Sequence, residues 1–67
     1  MKPEVIFGMH AGKVWLALKS KGPLSADALS KTTKLKLNEV FAALGWLGRE
    51  GKIDIIAEKQ MTLYKLL

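Results

Sequence analysis

The chain has 67 residues, enough for one small domain, and residues 1–67 are read as a single unit. It has no cysteine, which excludes disulfides, thiolate metal sites and a cysteine nucleophile, and its one histidine is too few for a histidine-based metal cluster. Eleven lysines and arginines against six acids give a net charge of +5, a balance that favours nucleic acid or another anionic surface. Hydrophobic residues make up 49% of the chain, more than one small core hides, so part of that surplus points to a partner.

The longest stretches without charge, Val5–Gly12 and Val40–Gly48, fall short of the ~20 apolar residues a spanning helix needs. Lys2, Glu4, Lys13 and Lys19 break the pattern of a signal peptide. The expectation is a cytoplasmic protein with no membrane partner.

The first periodic segment is FGMHAGKVWLALKSKG. Phe7, Ala11, Val14 and Leu18 recur at spacings of four, three and four, which puts them on one face of a helix, with Trp15 beside them. Pro3 suits its start, and the basic last turn followed by Gly22-Pro23 suits its end. The far side carries a second apolar stripe of Val5, Met9, Gly12 and Leu16. This is either scattered surface hydrophobes or a contact face, with Gly12 admitting a close backbone.

Leu24 reads as a short extended residue after proline. Ser25 is a good N-cap and Asp27 suits the first turn of a second, two-turn helix ending near Thr32, with Ala28 and Leu29 inward. TTKLK reads as a turn that points Leu35 into the core. A third helix starts between Lys36 and Asn38, Asn38 being the better capping residue and Leu37 the better helix former, and turns Val40, Ala43, Leu44 and Leu47 inward, with Phe41 on a flank. Gly51 closes it. Two strands follow. KIDIIAE places Ile53, Ile55 and Ala57 on one face and Asp54, Ile56 and Glu58 on the other, and MTLYKLL alternates likewise. A tight loop around EKQM joins them without the usual Asn-Gly or Asp-Gly signal.

Helix, short extended segment, helix, turn, helix and β-hairpin give an α+β, mostly helical chain: a winged helix-turn-helix, with the hairpin as the wing. The expected core is Phe7, Val14, Leu18, Leu24, Leu29, Leu35, Val40, Leu44, Leu47, Ile53 and Ile55. AGKVW at Ala11–Trp15, LNEVFAALGWLGREGKI at Leu37–Ile53 and the closing hairpin resemble a family of small prokaryotic winged helix-turn-helix proteins long catalogued as a domain of unknown function. The resemblance covers nearly the whole chain and implies the fold, with DNA binding by analogy. The chain departs from the family pattern in the hairpin loop, which has no glycine.

A winged helix that binds double-stranded DNA lays its third helix in the major groove. The outward stripe expected there is Asn38, Ala42, Gly45 and Arg49. Asn38 suits adenine and Arg49 suits guanine or a phosphate, whereas Ala42 and Gly45 read almost nothing. Phosphate contacts are better supplied, by Lys31, Lys34 and Lys36 at the turn, Lys52 at the wing's base, and Lys59 and Gln60 at its tip. Glu39 and Glu50 on the third helix would oppose phosphate if they faced it. Trp46 lies beside the outer face, either packed on the wing or second helix or free as a hot spot for a partner.

The alternative reading is a protein-interaction module, a homodimer through the first helix using Val5, Met9, Gly12 and Leu16, with Trp46 as a further contact. His10 reads as a half-buried packing residue, and no spacing marks a paired carboxylate site, so no enzyme is expected. No cofactor and no small-molecule ligand is inferred.

Overall fold

The computed structural model describes all 67 residues as three helices and a hairpin: α1 (Pro3–Lys21), α2 (Ala26–Thr33), α3 (Leu37–Arg49), β1 (Ile53–Glu58) and β2 (Met61–Leu66). Pro3 occupies the first turn of α1, where its missing N–H costs no hydrogen bond. Gly22 ends α1 at φ 81°, a conformation open to glycine, and its N–H donates to the Leu18 carbonyl at 2.9 Å. Ser25 caps α2, its hydroxyl accepting the Ala28 N–H at 3.1 Å. Lys34 then takes a left-handed backbone at φ 63°, where glycine is the usual residue, and turns the chain toward α3. Thr33 and Ser30 hold this turn: Thr33 Oγ1 donates to the Leu29 carbonyl at 2.7 Å, and Ser30 Oγ to the Leu35 carbonyl at 2.6 Å.

The boundary at the start of α3 falls on Leu37, with Lys36 in the N-cap position. Asn38 is not the cap. Glu39 caps from inside the helix, its Oε1 accepting the Lys36 N–H at 2.8 Å.

The core is one cluster of ten buried residues: Ala11, Val14, Ala17, Leu18, Leu29, Leu35, Val40, Ala43, Leu44 and Leu47. Alanines at 11, 17 and 43 keep the helices close around the cluster, and Leu24, Ile53, Tyr64 and Leu66 close it from the sheet side. Two residues expected in the core are not there. Phe7 lies at the rim, its ring 6.1 Å from that of Trp46. Ile55 is exposed. It shares its side of the strand with Ile53, but only the base of the hairpin rests on the helices, so the inward position farther out has nothing to cover it. Phe41, expected on a flank, is exposed on the outer side of α3.

The strands pair antiparallel, Ile53 opposite Leu66 through Glu58 opposite Met61. A two-residue loop joins them, with Lys59 at φ 48°, a turn made without glycine. On the far side of β2, Leu24 and Tyr64 exchange both backbone hydrogen bonds, at 3.0 and 2.8 Å. Tyr64 therefore spends its backbone groups on Leu24, and its hairpin partner Ile55 points its own away from β2. By the same alternation Ile53 and Ala57 do so too, leaving β1 an open edge. The Ile55 N–H on that edge donates to its neighbour's side chain, Asp54 Oδ1, at 2.9 Å.

Candidate nucleic-acid interface

The turn between α2 and α3 gathers Lys31, Lys34 and Lys36 within six positions, and all three are exposed. Lys31 closes the last turn of α2, Lys34 is its left-handed C-cap, and Lys36 stands at the entry to α3. None of them is in a salt bridge. The close acid–base contacts of the structure are His10 Nε2 with Glu39 Oε2, at 3.8 Å, and the salt bridge of Lys52 with Glu50, at 3.7 Å. Lys52 therefore meets an acid and is the weakest of the proposed phosphate contacts. Lys59 and Gln60 are exposed at the wing tip. Leu37 and Phe41 of α3 line one groove with Gln60 and Met61 of the wing, so the tip stands across that groove from the start of α3.

The two glutamates that could repel a phosphate both lie against proposed phosphate contacts. Glu39 spends one oxygen on the Lys36 N–H and turns the other toward the half-buried His10 on α1. Glu50 faces Lys52. His10 thus has a partner that sequence spacing did not reveal, because α1 and α3 meet only in the folded chain.

The outward stripe of α3 is thinner than its spacing suggests. Asn38, Gly45 and Arg49 are exposed, but Ala42 is half-buried and offers less to a base than expected. Asn38 and Arg49 stand eleven residues apart, ~17 Å along the axis at 1.5 Å per residue. They would touch bases several pairs apart. Sequence reasoning missed what fills the space beside them: Leu37 is 42% exposed and Phe41 50%, and across the groove Ile55 is 61% and Met61 57% exposed. Counting Leu37 and Phe41 at positions i and i+4 could have found half of this surface. The wing half could not be found without knowing how far the hairpin overhangs.

Trp46 packs neither on the wing nor on α2. It lies half-buried against the core beside Phe7 of α1. On α1 itself, Val5, Met9, Gly12 and Leu16 are all exposed. No helix is long and apolar enough to cross a membrane.

Three helices, the Leu24 strand segment and a hairpin paired to it define a winged helix-turn-helix. The chain belongs to the winged helix-turn-helix domain family DUF2582, a domain of unknown function, whose model matches residues 1–66. It is similar to protein BT2368 from Bacteroides thetaiotaomicron, whose solution structure superposes with a TM-score of 0.91 at 31% identity, over 97% of this chain and 79% of that one. No curated protein matches the chain.

Proposed function

We propose that this is a double-stranded DNA-binding protein of modest sequence specificity, a regulator or accessory factor and not an enzyme, working in the cytoplasm. The observation that carries the reading is the set of unpaired cations at the opening of α3, Lys31, Lys34 and Lys36 on the turn, with Lys59 across the groove at the wing tip. Such groups position a duplex through its phosphates and carry no sequence information. Asn38 and Arg49 supply the base contacts. One or two bidentate contacts, each worth ~1–3 kcal/mol of discrimination, support only weak specificity. Titration against random-sequence duplex at about 50 and 200 mM salt tests this. Three or four phosphate contacts predict an affinity loss of roughly forty- to 150-fold across that range. No binding at the lower salt rejects the reading.

A second reading has its own support in α1. Val5, Met9 and Leu16 are exposed along one stripe, and open space above Gly12 admits a close backbone. A homodimer through this face would leave both copies of α3 free for DNA. Sedimentation of wild type against Leu16→Glu decides it, with the wild type expected to be dimeric and the variant monomeric. Two monomers at high concentration reject the dimer.

A further inference from the structure

We propose that two copies of this chain pair through α1 in antiparallel order, Val5 of each against Leu16 of the other. The arrangement rests on the α1 dimer given above as a second reading, and it fixes the direction and register of that dimer. The stripe of Val5, Met9, Gly12 and Leu16 lies opposite the buried face of Ala11, Val14 and Leu18, so a second helix covers it without touching the core. The midpoint of the stripe falls between His10 and Ala11. A two-fold axis there sets Val5 level with Leu16, and Met9 level with Gly12. A Cβ on Gly12 would meet nothing within 4 Å, so at that level there is room for the flexible methionine side chain.

Charge selects the direction. Glu4 is the only acid of α1, is exposed, and has no salt bridge in its own chain. Lys13, Lys19 and Lys21 load the other half of the helix. Two such helices side by side in parallel would set lysines beside lysines and align their dipoles. In antiparallel order the dipoles oppose, and Glu4 of each copy comes within ~3 Å along the axis of Lys19 of the other. On the helix Glu4 and Lys19 share the flank of the stripe that carries Trp15, and a two-fold axis across the helices lays that flank against itself. Lys19 is held on that flank, its Nζ 5.1 Å from the centre of the Trp15 ring. Gly8, Gly12, Trp15 and Trp46 line an open groove of about 320 Å³ along the same flank, which leaves room for the two ion pairs.

The chain has no cysteine, so introduced ones read the register. Val5→Cys and Leu16→Cys are made separately in the whole protein, both at exposed sites. A disulfide needs Cα atoms within about 7 Å, and along one helix the two positions stand ~16 Å apart. Under mild oxidation an equimolar mixture is expected to give at least about tenfold more covalent dimer than either variant alone. Either variant linking to itself as readily overturns the antiparallel order. Sedimentation reads the ion pair. Lys19→Glu is expected to weaken the dimer by about tenfold, because two exposed attractions become repulsions. Adding Glu4→Lys is expected to restore it to within about threefold of wild type, which also excludes misfolding as the cause. No weakening, or no recovery, removes the Glu4–Lys19 contact and the proposal with it. A dimeric wild type whose variants give no mixed disulfide rejects this arrangement and leaves the α1 dimer standing. A monomeric wild type rejects both.

Discussion

Leu29→Ala is expected to bring the domain close to unfolding at ambient temperature. Leu29 is fully buried where α2 meets the α1–α3 pair, and its carbonyl also receives the Thr33 hydroxyl that secures the turn. Truncating a buried leucine costs ~2–5 kcal/mol, the larger values where the surroundings cannot collapse. Three elements converge on this side chain, so little collapse is available. A chain of this length holds roughly 3–10 kcal/mol in total. At ~4–8 °C per kcal/mol the melting midpoint drops by at least about 10 °C. Thermal melts followed by circular dichroism measure it, with exposed Leu67→Ala as the control, expected within ~0.5 kcal/mol of wild type. A Leu29→Ala protein that melts within a few degrees of wild type would mean that the core is not assembled as described.

The second large effect is on DNA. The triple variant Lys31→Ala, Lys34→Gly, Lys36→Ala removes the cluster that opens α3. Glycine is the right replacement at Lys34 because φ is 63° there, a backbone that strains a side chain. The variant should therefore lose no more than about 1 kcal/mol of stability, even with two other side chains shortened. In a plot of log affinity against log salt, the slope should become shallower by about 2 to 3, close to 0.9 for each phosphate contact removed. The affinity gap to wild type is then widest at low salt and narrows as salt rises. An unchanged slope would show that these lysines touch no phosphate, whatever else binds.

The elements themselves were legible in the sequence. Four-three-four apolar spacing marked α1, Ser25 marked the start of α2, and alternation marked both strands. What periodicity reports is which side of an element is apolar. It does not report how far the neighbouring element extends. Phe7 and Ile55 failed for that one reason: each belongs to an apolar face, and each lies past the end of what could cover it. The cap of α3 was hidden differently. The usual signal is a serine or threonine followed three residues later by glutamate, and here the first place holds Lys36, so only the Glu39 half of the motif exists. The pairing of His10 with Glu39 joins residues far apart in the chain, and no local rule reaches it. The basic turn was readable because its three lysines are neighbours in sequence as well as in space.

The open edge of β1 bears on how the protein behaves when concentrated. IDIIAE is a short, apolar strand with no proline, the composition that invites a foreign strand to add on. Its outward backbone donors are those of Ile53, Ile55 and Ala57, and the central one is already taken by Asp54 Oδ1. An incoming strand meets a blocked donor at the middle of its register and a carboxylate beside it. One aspartate thus shields the domain from aggregation by strand addition, on an edge too short to tolerate the loss of its central bond.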